Sequence, residues 1–417
     1  MKGPELRTRA AEISFRQLRL FESVGRLASV RRGSEECNLS QPAVTQALSK
    51  LELQLGAVLL ERRSSGSYLT EAGKIFHVRV QRLFAQMTDA LVCLGAASAP
   101  EPAAALINRI TRSQVRSLIA IVDGGSFSRA AEALKLTQAS LQRAARDLEG
   151  NLRRAIFYRT AAGVMVTPEG VEFGRQLKLA SQEVEWGIRE IESTRGEHSS
   201  QITVGALPFG GTLLLATVLD EFVARQPRTD VKIVSEGASE MLRRLRAGDV
   251  DILVGILQDT GQSDLNYESL ATTPYEIVAR PGHPLLDKAE LTHADLAAFE
   301  WIAAAEGSSR RNCFDLLFAE GPAPQAPITA SSLAIIQELL AHSNRLTMMT
   351  TYEVRREGGS LVPLPFGPIE PSPAIGMTTR AGWLPTTLHQ SFMSLLRHRV
   401  TTWNVDTHPL RAAKFGG

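Results

Sequence analysis

The sequence predicts a multidomain chain: two small, α-rich heads in tandem, followed by an α/β region in two lobes. Three observations carry this. Residues 17–76 and 114–173 align at a constant offset of 97 without a gap, and 16 of the 60 aligned positions are identical, where chance would give only a handful. Beyond residue 201, apolar strands alternate with amphipathic helices. The two parts also differ in charge: residues 1–196 hold 28 Lys/Arg against 20 Asp/Glu (net +8), and the rest 18 against 24 (net −6). A period this long marks a duplicated domain and not a solenoid. A basic part joined to an acidic part suggests polyanion binding by the first only, with chance surface variation as the plainer alternative.

A chain of 417 residues has room for two to four domains. No apolar run approaches the roughly 18–20 residues of a membrane span, and the first fourteen residues lack the apolar core of a signal peptide. Cys37, Cys93 and Cys313 are odd in number, far apart and without metal-ligand spacing. A cytoplasmic protein with free thiols and no membrane partner is the expectation.

In the first copy, residues 16–27 place Leu18, Phe21 and Val24 on one helical face, and a short segment, 31–37, follows. Ser40 is a good N-cap for a helix from Gln41 to about Gln54, with Val44, Leu48, Leu51 and Leu55 as its buried stripe. Gly56 can end that helix. Residues 62–67 then read as a hairpin tip, and Thr70 caps a further helix. The second copy repeats the scheme with Val115, Leu118 and Ile121, then Thr137 as cap, then Leu141, Ala145, Leu148 and Leu152. Its hairpin runs from Arg159 to Gly163, and Thr167-Pro168 is a strong helix start.

Three helices and a two-stranded wing make a winged helix-turn-helix. Ser40 and Thr137 open the third helices. Short polar groups near each start can reach base edges: Gln41, Thr45, Gln46, Ser49 and Lys50 in copy one, and Gln138, Ser140, Gln142, Arg143 and Arg146 in copy two. Arg62, Arg63 and Arg159 sit on the wings, where guanidinium groups would meet phosphates. The alternative is a winged helix used only for protein contact, with these groups merely solvated.

The run Leu18-Arg19-Leu20-Phe21, then Leu39-Ser40-Gln41-Pro42-Ala43-Val44-Thr45, Leu51-Glu52, Leu55-Gly56, Leu59-Leu60-Glu61-Arg62 and Leu69-Thr70-Glu71-Ala72-Gly73 resembles the DNA-binding head of LysR-type transcriptional regulators. In copy two, residues 125–134 match that family's second-helix pattern better than copy one does. Copy one has Gly33-Ser34 where the family has paired alanines, which should loosen helix two. Copy two has Ala139 for the proline and Arg153 in place of Gly56, so its wing should start differently. The usual member has one head per chain, so two heads put the standard assembly in doubt.

After each wing comes an amphipathic helix, with Val80, Leu83/Phe84, Met87, Leu91 and Leu94 in one and Phe173, Leu177, Ala180, Val184, Ile188 and Ile191 in the other. Steps of three and four make a narrow pairing seam, and the resemblance implies dimerisation through it; docking onto the protein's own body is the alternative. Residues 96–105, rich in Ala and Pro, read as a semi-stiff spacer. The expected divisions are head one at 15–75, its helix at 76–95, a linker at 96–106, head two at 107–172, its helix at 173–196, the lobes at 198–402 and a tail at 403–417. The seams could pair within one chain or between two; sequence leaves this open.

In the lobes, strands are expected at 202–204, 231–235 and 251–255, helices at 213–225 and 239–247, and a parallel sheet between them. Residues 274–280 and 375–380 read as crossings between lobes, 301–302 and 346–349 as second-lobe strands, and 386–399 as a helix returning to the first lobe. Residues 205–208, 245–252 and 280–285 extend the LysR resemblance to about 15–402 and imply a periplasmic-binding-protein-like effector domain. Ligand groups in such a cleft meet strand ends and helix starts. Leu207, Pro208 and Phe209 follow the first strand, and Ser308, Ser309, Ser331 and Ser332 precede two helices. A carboxylate or polyol would suit them, with plain N-capping as the alternative. His283 should hold a turn, and Arg310 or Arg311 should be solvated.

No nucleophile elbow, P-loop, zinc-protease or dinucleotide motif occurs, and the histidines do not cluster with acids or cysteines. The expectation is no enzyme, no cofactor and no metal. It is a regulator binding double-stranded DNA under a small-molecule effector, working as a homo-oligomer. The alternative is a small-molecule-binding or scaffold protein whose heads serve protein contacts.

Overall fold

The computed structural model describes residues 9–161, 163–196, 200–207, 212–257, 261, 263–356 and 360–406. It divides into two compact units, Met1–Ser200 and Gln201–Gly417.

In the first unit, head one consists of Phe15–Leu27 (α1), Val30–Glu36 (α2), Gln41–Leu55 (α3) and a hairpin of Leu60–Arg63 (β1) with Gly66–Leu69 (β2). Glu71–Cys93 (α4) and Pro100–Ile107 (α5) follow. Head two consists of Arg112–Gly124 (α6), Phe127–Leu134 (α7), Gln138–Leu152 (α8), Phe157–Thr160 (β3) and Gly163–Val166 (β4), and Pro168–Thr194 (α9) ends the unit.

The retained identities are the residues that build each head. Gln17 and Gln114 each close a capping box, with Ser14 and Thr111 respectively. Ser29 and Ser126 cap the second helices, and Thr70 and Thr167 the long ones. Gly73 and Gly170 lie so close to the wing that an added Cβ would stand 2.1 Å from Leu59 O and 2.6 Å from Ile156 O. Gly66 and Gly163 have positive φ at the hairpin turns.

Three expectations about the heads are corrected. Gly33 does not loosen α2: an added Cβ there would meet Val24 Cγ2 at 2.6 Å, so its absence allows close packing, and buried Ser34 Oγ donates to Arg31 O at 2.7 Å. Arg153 does not alter the start of its wing, because it adopts the same left-handed conformation (φ 49°) as Gly56 (φ 61°). The spacer is partly helical, since the alanine-rich stretch forms α5 once Ala103 and Ile107 are buried beside α4.

The long helices pair within the chain. Phe76 lies against Gly187 while Gln86 bonds Glu183, so α4 and α9 run antiparallel. Phe76, Val80, Leu83, Met87 and Leu91 share a continuous core with Phe173, Leu177, Ala180, Val184, Ile188 and Ile191. Buried Arg79 pairs with Glu183 at 2.9 Å and Glu190 at 2.7 Å, and Arg82 reaches Glu183 at 2.9 Å.

The second unit runs Ser200–Ala206 (β5), Thr212–Arg225 (α10), Thr229–Val234 (β6), Ala238–Arg246 (α11), Ile252–Ile256 (β7) and Leu265–Thr272 (β8) in its first lobe. The chain crosses into Tyr275–Ala279 (β9), His293–Ala297 (α12), Ile302–Ala303 (β10), Ser309–Leu317 (α13), Ile328–Thr329 (β11), Leu333–Ala341 (α14), Thr347–Thr350 (β12), Thr351–Arg356 (α15) and Val362–Pro363 (β13). It returns through Ala374–Arg380 (β14) and Thr387–Asp406 (α16). The first sheet has the order β6-β5-β7-β14-β8 and the second β12-β9-β13. The first sheet is mixed and not purely parallel: β5 and β7 are parallel, but returning β14 is antiparallel to β7 and to β8, an edge strand that the polar run LNYESLAT had hidden. Helix α16 packs on α10, with Phe392 edge-on to Phe222.

Candidate nucleic-acid interface

The third helix of each head is held by its buried stripe, and this fixes what it offers outward. Val44, Leu48, Leu51 and Leu55 are buried, so Gln41, Gln46, Ser49 and Lys50 are exposed and Thr45 half-exposed. Exposed Ser40 accepts from Ala43 N at 3.4 Å and caps the helix. In head two, Leu141, Ala145, Leu148 and Leu152 are buried and Gln138, Ser140, Gln142, Arg143 and Arg146 are exposed. Exposed Thr137 accepts from Ser140 N at 3.2 Å and shares a 2.9 Å bond with its hydroxyl. The two faces are unlike: Gln46 and Ser49 stand where head two has Arg143 and Arg146.

Each wing is pinned to its third helix by a retained glutamate. Glu52 Oε1 accepts from Leu59 N at 2.7 Å and Leu60 N at 3.2 Å; Glu149 Oε1 accepts from Ile156 N at 2.8 Å and Phe157 N at 3.0 Å. Wing and helix are therefore held in fixed relation. Arg62, Arg63 and Arg159 are exposed on the wings. Arg63 pairs with Glu61 at 2.9 Å and lies over the Tyr68 ring. Sequence reasoning missed Glu52 and Glu149 as positioning residues, although their identity in both copies was a signal.

Comparison with known proteins decides the family. The profile of the bacterial regulatory helix-turn-helix proteins of the lysR family matches residues 15–74 and again 113–171, and that of the LysR substrate binding domain matches 195–401. The chain belongs to the LysR family of transcriptional regulators. It is 29% identical over 391 residues to the HTH-type transcriptional regulator GalR of Pseudomonas putida, covering 92% of this chain and 97% of that protein. The Hca operon transcriptional activator HcaR of Escherichia coli is 26% identical over 293 residues, 69% of this chain and 97% of its own. A full-length OxyR variant from Pseudomonas aeruginosa shares the fold, at 19% identity and a TM-score of 0.50 over 69% of this chain and 93% of that one. This LysR-type regulator is thus a DNA-binding protein with a C-terminal effector-binding domain.

In the effector domain the expected ligand residues divide. Leu207 is corrected: its side chain is buried in a core cluster with Met241, Leu245, Val250, Leu253 and Leu265, because the strand turns it inward. Pro208 and Phe209 lie outside the described residues. Ser308 caps α13, accepting from Arg311 N and donating to Ala305 O. Ser309 Oγ accepts from Tyr275 OH at 3.3 Å. Ser331 and Ser332 are exposed, and Ser332 makes no side-chain cap. His283 holds its turn, accepting from Leu285 N and bonding Asn344 O.

Arg310 is corrected from solvated to buried: it pairs with Glu353 at 2.8 Å. Glu353 Oε2 also accepts from Thr350 N and Oγ1. Tyr275, whose hydroxyl is pushed up in pKa by burial, adjoins this pair. The Thr350–Glu353 spacing is a capping-box signature that sequence reading overlooked. Among the described residues no group of three His, Cys, Asp or Glu could hold a metal, and no helix is long and apolar enough to cross a membrane.

Proposed function

We propose that both heads read one DNA duplex. In this reading Gln41, Thr45, Gln46, Ser49 and Lys50 of α3, and Gln138, Ser140, Gln142, Arg143 and Arg146 of α8, face the major groove. Ser40 and Thr137 sit beside the backbone at the helix starts, and Arg62, Arg63 and Arg159 bind phosphate. The observation that carries this is the pairing of α4 with α9, which places two exposed polar helix faces in one compact unit. Footprinting tests it: the wild type should protect one continuous site, and disabling either α3 or α8 should expose one part of it. Affinity should fall steeply with salt as phosphate contacts release counterions. A footprint unchanged by either variant refutes the reading.

The effector reading places a carboxylate or polyol at Ser309, Ser331 and Ser332, with Tyr275 supporting Ser309. Ligand control then requires different affinity for two arrangements of the protein. Titration calorimetry with small carboxylates and polyols tests it, and Ser309→Ala should weaken whichever binds. The chain is read as a cytoplasmic homo-oligomer. Ile233 on edge strand β6 and Val223 on α10, 53% and 43% exposed, support association through the effector domain.

A further inference from the structure

Equivalent residues of the two copies meet across the pair, and they are chemically unlike. The offset of 97 carries Gln86 onto Glu183 and Phe15 onto Arg112. Gln86 Nε2 donates to Glu183 Oε1 at 2.9 Å, and the Arg112 guanidinium lies 5.4 Å from the Phe15 ring centroid. Equivalents touching each other define a local two-fold relation, as in an isologous dimer. At the far ends the same segments meet: Arg195, just past α9, donates to Gly56 O at the end of α3, and Arg154, at the end of α8, donates to Gly95 O just past α4.

Charge is distributed one way only. The offset replaces Arg79 by Gln176, Arg82 by Leu179, Glu183 by Gln86 and Glu190 by Cys93. If head one paired with another chain's head one, buried Arg79 would face Gln86 and Cys93 in place of two carboxylates. A buried guanidinium stripped of its carboxylates is strongly disfavoured. If head two paired with head two, Glu183 would face Glu183, Gln176 and Leu179, and Arg112 would meet Arg112. Only head one with head two gives both arginines their carboxylates. The connector makes the pairing intrachain: α5 is packed beside α4, and Arg19 Nη2 donates to Ile107 O at 3.2 Å.

We propose that Arg79, Arg82, Glu183 and Glu190, with the Phe15–Arg112 stack, are a pairing code that commits head one to head two of the same chain. The preferred DNA is then two unlike half-sites in fixed order. That consequence rests on the DNA reading above; the pairing itself does not.

The test uses the full-length chain carrying Gln176→Cys. Position 176 is related to exposed Cys93 as Arg79 is to Glu190. A short bis-maleimide should join 93 to 176 within one chain, identified by peptide mass, with the product at monomer size on a denaturing gel. Adding Glu183→Arg should cut the yield at least about tenfold, and the full swap Arg79→Glu, Arg82→Glu, Glu183→Arg, Glu190→Arg should restore it. A cross-linked dimer, or a yield indifferent to Glu183→Arg, overturns the code. Selection of duplexes from a random pool gives the second arm: unlike half-sites support the proposal, and a palindrome of one half-site overturns it. No enriched sequence with the intrachain cross-link intact would count against the DNA reading and leave the pairing standing.

Discussion

Gln86 and Glu183, on the helices that follow the two repeats, are related by the same offset of 97, and they hydrogen-bond to each other at 2.9 Å across the α4–α9 seam. In a homodimer that position would meet itself. Here a glutamine meets a glutamate whose other partners are Arg79 and Arg82, so duplication has been followed by divergence at the seam.

Glu183→Ala should destabilise the first unit by about 3 kcal/mol, because it strips carboxylate from a guanidinium that is only 1% exposed. Denaturant unfolding of the full chain measures this. A loss under about 1 kcal/mol would mean that solvent or Glu190 compensates.

Three backbone-directed changes should separate. Gly33→Ala should cost about 1–3 kcal/mol by forcing Val24 aside. Gly150→Ala, inside α8 with nothing within 4 Å of the added Cβ, should stabilise by about 0.5–1 kcal/mol. Arg153→Gly should gain about 1 kcal/mol by relieving a left-handed non-glycine residue. Melting temperatures rank them.

Glu52→Ala should release the first wing by orphaning the Leu59 and Leu60 amides. The expected result is faster amide exchange confined to 59–69 and weaker DNA binding, with α3 still protected. Glu149→Ala should do the same for head two.

Thr45→Ala or Gln46→Ala should change which half-site is preferred, at about 1–3 kcal/mol of discrimination. Arg62→Ala should weaken binding to every sequence and reduce the salt slope by about one. Equal, uniform effects from both sets would contradict the helix and wing assignments. Quantitative binding to a panel of duplexes at several salt concentrations distinguishes them.

Asp251 gives the effector domain an acid limit. Burial pushes its carboxyl up, but the His389 ring at 3.5 Å, the Arg380 charge and the Thr203 amide outweigh this and hold it below the usual carboxylate range. A folded pKa below the unfolded value means stability that is full above about pH 4 and is lost as pH falls through the lowered value. Asp251→Asn should cost about 3 kcal/mol at neutral pH and flatten the acid limb of the stability profile. Calorimetric melting between pH 3 and pH 7, buffers chosen to bracket about pH 4, checks both effects.

The amino-acid sequence by itself determined the heads. Caps, turn glycines and buried stripes act through residues only a few positions apart, so Ser40, Thr70 and the Val44–Leu55 stripe could be read directly. The duplication and the LysR resemblance were legible for the same reason. Tertiary structure decided which seams meet, because Arg79 and Glu183 are 104 positions apart and either helix could have sought another chain. It also made a helix of the supposed spacer, turned Leu207 inward and buried Arg310 against Glu353. In each case the outcome depends on a neighbour far along the chain that supplies the apolar wall or the opposite charge. Local pattern carries no information about such partners until the chain has folded.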